Sequence, residues 1–172
     1  MKTIFAAVII SLGVTACSNV KVKSSTEEAV KYNDQVVDLI NPYFDAQTTF
    51  DESFGLDSMP TIEAHKNLVS VITDIRGKLN GLAAFDEETV MKDAAVTYMD
   101  SLLAIANSDY ALALKVQRTP AYHEGEQEEV AKLDDQLVAA LKNGDARAEK
   151  ASKAFDDKQD AWAKEYKFTI ER

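Results

Sequence analysis

One cysteine and two histidines are the whole thiol and imidazole inventory of this 172-residue chain. Cys17 follows Val14, Thr15 and Ala16, which in turn follow an apolar run from Thr3 to Gly13 that opens on Met1 and Lys2. A cysteine thiolate is a strong nucleophile, and Cys17 is the one residue that can supply it. The histidines offer less. A di-iron bundle needs Glu three residues before each His, and Ile62 and Pro120 stand there before His65 and His123. His123-Glu124 has no second histidine in place for a zinc-binding helix, and a cysteine pair for haem attachment is missing. His65 lies on an apolar stripe, where a satisfied or half-exposed imidazole is a simpler reading than a ligand or base.

The carboxylates carry no constellation either. Asp134-Asp135 and Asp156-Asp157 are neighbours on a polar helix face, pointing about 100° apart, which is poor geometry for a shared proton. No serine sits in a strand-turn-helix elbow, no calcium-loop spacing surrounds Asn143-Gly144-Asp145, and no glycine loop could cradle phosphate. These residues predict no catalytic, cofactor-binding or metal site, and a protein that is not an enzyme. Asp109 is the odd acid, because it interrupts an apolar helical stripe between Ile105 and Leu112. It is either a charge at the stripe margin, snorkelling out or paired with Lys or Arg of another helix, or a buried group that fixes bundle register.

Val14-Thr15-Ala16-Cys17 resembles the lipobox of bacterial lipoprotein precursors: an aliphatic residue, two small residues, then cysteine. The family usually has Leu where this chain has Val14. The resemblance implies cleavage between Ala16 and Cys17, removal of residues 1–16 as a signal peptide, and acylation of Cys17 by palmitate-type chains. The apolar run is shorter than the ~20 residues of a membrane span. A plain secretory signal would leave an unpaired thiol on an exported protein. Ser18, in place of an aspartate after Cys17, resembles outer-membrane sorting, and no acidic cluster follows as in some surface-export signals. The expected address is the cell envelope, at the outer membrane and facing the periplasm, with the cell surface as the alternative. The expected partners are the membrane, through the lipid on Cys17, and an envelope protein or a second copy of the chain.

The net charge of −10 argues against binding a phosphate backbone, which needs clustered Lys and Arg, so no nucleic-acid partner is expected. It also argues against broad adhesion to anionic lipid. With Cys17 consumed, no disulfide can form, and packing alone must hold the fold. Three prolines and six glycines leave few turn signals and point to long helices.

Residues 17–25 read as a lipidated tether and 26–172 as a single domain. Helix 1 starts near Ser25, with a Ser25/Glu28 capping box, and carries Ala29, Tyr32, Val36, Ile40, Tyr43, Phe50 and Phe54 at helical spacing. The stripe keeps phase across Pro42, which predicts a kink, with a break capped by Asn41 as the alternative. Helix 2 runs from about Thr61 to Asn80 or Ala84, with the stripe Ile62, His65, Val69, Ile72, Ile75, Leu79 and Leu82. Helix 3 starts after Asp86 as N-cap and ends before Thr119-Pro120. It carries two adjacent stripes, one through Met91, Tyr98, Ile105, Leu112 and Val116, the other through Val96, Met99, Leu103, Ala106, Tyr110 and Leu114. So broad a face suits a central helix with several neighbours, or a patch for a partner. The last helix spans about Glu124 to Phe168; it either overhangs the others or divides at Asn143-Gly144-Asp145, and we favour a kink or break there.

Short loops between long helices predict an all-α, up-down antiparallel bundle of four helices, or five if the last divides. Trp162, Tyr166 and Phe168 should then lie beside the start of helix 1. The segment Phe155–Ala163 resembles helical-bundle lipoproteins of Gram-negative bacteria, a likeness that implies no activity. The expected function is non-enzymatic binding or scaffolding in the envelope. The alternative is an apolar-ligand carrier, with Tyr43, Phe44, Phe50 and Phe54 lining a cleft between helices.

Overall fold

The computed structural model describes residues 24–54 and 58–170. The lipobox Val14–Cys17, with its cleavage and acylation positions, and the apolar run before it lie outside the described residues. Seven helices follow in order: α1 (Thr26–Ile40), α2 (Pro42–Glu52), α3 (Ser58–Gly81), α4 (Val90–Ile105), α5 (Ala111–Gln117), α6 (Pro120–Glu124) and α7 (Gln127–Tyr166). A π-helical turn, Ala106–Tyr110, joins α4 to α5 without a break. Four rods result: α1 with α2, α3, α4 through α5, and α7. Successive rods are antiparallel, and α7 closes the ring against α1, so the fold is an all-α up-down bundle. Among the described residues no helix is long and apolar enough to cross a membrane.

Local chemistry sets the rod ends. Ser25 and Glu28 form the capping box, each side chain serving the other's backbone N–H. At Pro42 the ladder is interrupted between α1 and α2: Pro42 has no N–H to donate, and Phe44 N–H bonds to Asn41 O at 3.1 Å in place of Ile40 O. Asn41 keeps right-handed helical dihedrals and its side chain caps nothing, so the chain runs on into α2 without a side-chain cap. The last helix does not break at Asn143-Gly144-Asp145, contrary to expectation: α7 runs 40 residues, about 60 Å. Gly144 is there for contact rather than termination, because it is buried against Tyr110 of the π turn. The overhang of α7 is covered by α5 and α6, where Ala113, Val116, Leu137 and Ala140 form a second small core.

Two further expectations fail for physical reasons. Asp86 is no N-cap. Asp86 and Glu87 take left-handed φ angles of 52° and 66°, and Phe85 and Glu88 exchange both backbone hydrogen bonds across them. This tight turn delays α4 to Val90 and frees the Asp86 carboxylate for other partners. On α3 the inward positions begin at Thr61, Ala64 and Leu68, not at Ile62, His65 and Val69, which are half-buried. Small side chains face the centre there because the aromatic rings of α2 already fill it.

The main core joins all four rods: Val36, Ile40, Tyr43 and Phe50 from the first, Leu68, Ile72, Ile75 and Leu79 from α3, Met91, Tyr98, Met99 and Ile105 from α4, and Phe155, Trp162 and Tyr166 from α7. The Tyr98 and Phe155 rings stack at 5.5 Å across α4 and α7. One polar pair crosses this core. Gln159 Nε2 donates to Asn33 Oδ1 at 2.7 Å, both residues being buried. Buried amides that satisfy one another allow one axial register between α1 and α7 and penalise slipped ones.

Candidate functional site

The polar groups converge at the π turn. A π turn adds one residue to the helical cycle and leaves carbonyls whose usual N–H partner has moved. Asn107 Nδ2 donates to Leu103 O at 2.9 Å and Ser108 Oγ to Ala104 O at 2.8 Å. His65 Nε2 lies 2.8 Å from Ala106 O. A carbonyl only accepts, so this nitrogen carries the proton, and His65 seals the π turn from α3. The extra residue also shifts the inward phase. Ala113 is fully buried and Leu112 is 49 % exposed, the reverse of the expected stripe.

Asp109 stands at this phase shift and is only 8 % exposed. Its carboxylate accepts from Asn143 Nδ2 and Arg147 on α7, and from Ser108 Oγ at 3.0 Å. Burial alone would raise the Asp109 carboxyl, but the hydrogen bonds from Asn143 and Ser108 and the Arg147 guanidinium outweigh it and hold the group below its usual value. One residue on, Tyr110 donates to Asp145 Oδ1 at 3.0 Å, while its ring packs against Phe50 at 5.0 Å and lies close to Gly144. Burial first, and then the Asp145 carboxylate, push the Tyr110 phenol well above its normal range. Both expected readings of Asp109 therefore meet: it is buried, and it is paired with an arginine of another helix. A carboxylate engaged by three donors from two helices fastens them together.

Arg147 links this fastener to an open groove on the surface. The groove runs between the outer faces of α4 and α7. One end, about 360 Å³, is lined by Val90, Asp93, Ala94, Tyr98, Phe155 and Lys158 among others. The other, about 550 Å³, includes Asp100, Ala104, Arg147 and Lys150. Thr97, Ser101, Ala151 and Ala154 line both. Its floor is apolar and short-sided, and its charges stand on the walls.

Of the aromatic group of the first rod, Tyr43 and Phe50 are buried in the core and Phe54 packs against it, as a core reading of that group expects. Phe44 is 52 % exposed and borders a separate cleft of about 200 Å³ with Val37, Ile40, Phe155 and Ile170. His123 Nε2 lies 2.8 Å from Gln117 O, so it too is engaged by backbone. Among the described residues no three His, Cys, Asp or Glu side chains cluster to hold a metal ion.

At the opposite end from the α6 overhang, Asp86 ties the start of α1 to the end of α7. It accepts from Ser24 N–H at 3.0 Å, from Ser24 Oγ, and from Tyr166 OH at 3.1 Å. Thr26 Oγ1 donates to Tyr166 O at 2.9 Å. Trp162, Tyr166 and Phe168 do lie beside the start of α1, in one cluster with Tyr32 and Phe85. A left-handed Lys167, with Phe168 N–H bonded to Ala163 O, turns Phe168 back onto Trp162. The Asp86 junction, the Asn33–Gln159 pair and the role of Arg147 were not anticipated from sequence. Only the spacing of Asn33 and Gln159 within their apolar stripes could have signalled that pair. The chain matches no family model, no curated protein sequence and no solved structure.

Proposed function

We propose that this chain is a lipid-anchored module of the bacterial cell envelope that binds a protein partner on its side and carries out no chemistry. The observation that carries the reading is the α4–α7 groove, an extended concave surface with an apolar floor and charged walls. It suits a helix or helix pair better than a small molecule. The anchor rests on the lipobox resemblance, with Cys17 acylated and Ser18 directing the chain to the outer membrane, periplasmic face. The Asp86 junction supports this arrangement by holding the start of α1 and the end of α7 at one pole, so that a tether from there leaves the groove accessible. The histidines bonded to backbone carbonyls and the Asp109 carboxylate held by three structural donors support a non-enzymatic role. The test is site-specific photocrosslinking in cells from Ala154 on the groove floor, with Lys153 on an exposed face as control. A discrete crosslinked product from Ala154 alone is expected; repeated failure to find any would count against the reading.

The carrier reading is second. The Phe44 cleft favours it, but at about 200 Å³ it falls below the ~300 Å³ at which drug-sized ligand sites begin. An extra bound mass in native mass spectrometry of the soluble domain would promote it.

A further inference from the structure

The charges around the α4–α7 groove are arranged to fit a second copy of the same chain. Both acids that line it, Asp93 and Asp100, stand on α4, and all three bases, Arg147, Lys150 and Lys158, stand on α7. The two helices are antiparallel, so the walls also match in height. Asp93 and Lys158 line one end, while Asp100, Arg147 and Lys150 line the other. Two of the charges at that second end have ion-pair partners within the chain, Asp100 with Arg76 and Arg147 with Asp109. The Asp93 carboxylate is exposed and accepts from the neighbouring Thr89 hydroxyl, and Lys158 is exposed on the opposite wall.

A two-fold contact must superpose the patch on itself, and only two dyads lie in its plane along or across the helices. A dyad across the helices sets α4 on α4 and α7 on α7, acid against acid and base against base. A dyad along them sets α4 of each copy on α7 of the other, at unchanged height. We propose that the groove is the contact surface of a parallel two-fold dimer, with Asp93 of each copy facing Lys158 of the other. Ala94, Ala104, Ala151 and Ala154 leave room for the close approach such a helix pair needs. The same dyad keeps both tethers at one pole, as two copies anchored in one membrane require.

The contact is short. The 16 residues of α4 span about 24 Å, which puts the buried area near the lower end of specific interfaces. Affinity in solution is therefore weak, and confinement to one membrane raises the effective concentration. This inference deepens the binding-module reading by naming the partner. The anchor is needed only for the membrane enhancement, not for the dimer.

The test is sedimentation equilibrium of the full chain in mild detergent, with Asp93→Lys, Lys158→Glu and the double reversal. Both positions are exposed, so folding should be retained and is checked by circular dichroism. Each single reversal sets like charges opposite one another twice per dimer and should weaken association at least about tenfold. The double reversal restores opposite charges and should recover affinity to within about threefold. Ala154→Trp, which fills the floor, should abolish the dimer whatever the charges. The Cys17→Ser chain should dimerise with unchanged affinity, so failure of the anchor and failure of the dimer are read separately. A wild-type monomer at every concentration, a dimer indifferent to the single reversals, or a double reversal without recovery would each overturn the proposal.

Discussion

Two glycines inside helices should respond in opposite directions to the same substitution. Alanine is favoured over glycine in a helix interior by about 1 kcal/mol. At Gly77 in α3 an added Cβ meets nothing within 4 Å, so Gly77→Ala should stabilise by roughly 0.5–1 kcal/mol. At Gly144 in α7 the same Cβ falls 2.5 Å from Tyr110 Cε1, 3.0 Å from Tyr110 Cδ1 and 3.3 Å from Asp109 Cβ. Carbon atoms prefer about 3.5–4.0 Å, so the ring must yield by about 1 Å. Its freedom to move is limited, because it packs against the Phe50 ring at 5.0 Å and its hydroxyl is tied to Asp145. Overpacking of this kind costs about 1–3 kcal/mol, and a strained Tyr110–Asp145 bond adds about 1 kcal/mol. After the helix-propensity gain, Gly144→Ala should lose about 1–3 kcal/mol and roughly 3–10 °C in Tm. Urea unfolding followed by far-ultraviolet circular dichroism reads both variants on one scale. If Gly144→Ala gained stability as Gly77→Ala does, α7 would not approach the π turn as described.

Asp109→Asn should cost about 1–3 kcal/mol at neutral pH, towards the lower end because Arg147 is half exposed. The folded Asp109 carboxyl lies below its ordinary value, so its contribution is present above about pH 4 and is lost as pH falls through the folded value. Wild type should therefore lose stability more steeply than the variant below about pH 4, and parallel acid-unfolding curves would contradict this. Gln159→Leu should cost about 1–3 kcal/mol by stranding the Asn33 carbonyl oxygen, and Asn33→Leu with Gln159→Leu should recover most of it. A double-mutant cycle with no coupling would refute the pairing. Asp86→Ala should release Ser24 and the Tyr166 hydroxyl, and amide exchange over the first turn of α1 should accelerate. Unchanged protection there would show that the junction does not hold the start of α1.

The fold was legible where the signal was local. The Ser25–Glu28 box, the interruption at Pro42 and the stop at Gly81 each follow from a few adjacent residues. The arrangement of four rods follows from apolar periodicity and short loops. What stayed hidden depended on partners distant in sequence. Gly144 has the composition of a helix end, and only the ring of Tyr110 against it explains why the helix continues. The π turn left a trace in the interrupted stripe at Asp109, but assigning it needed Asn143 and Arg147, which belong to another helix. Asp86 looked like a cap because caps are common uses of aspartate, whereas its positive φ follows from the turn it occupies. The groove was foreshadowed only by the broad apolar face of helix 3. Its charges became a pattern once α4 and α7 lay side by side.

The central claim is that the bundle works at the end of a lipid anchor on Cys17. The most direct measurement is metabolic labelling of the full chain with an alkyne-tagged palmitate, read together with the mass of its mature N-terminus. The account predicts label on the chain, an N-terminal acylated Cys17, and loss of both in Cys17→Ser. A mature chain that begins elsewhere, or labelling unchanged in Cys17→Ser, would contradict it.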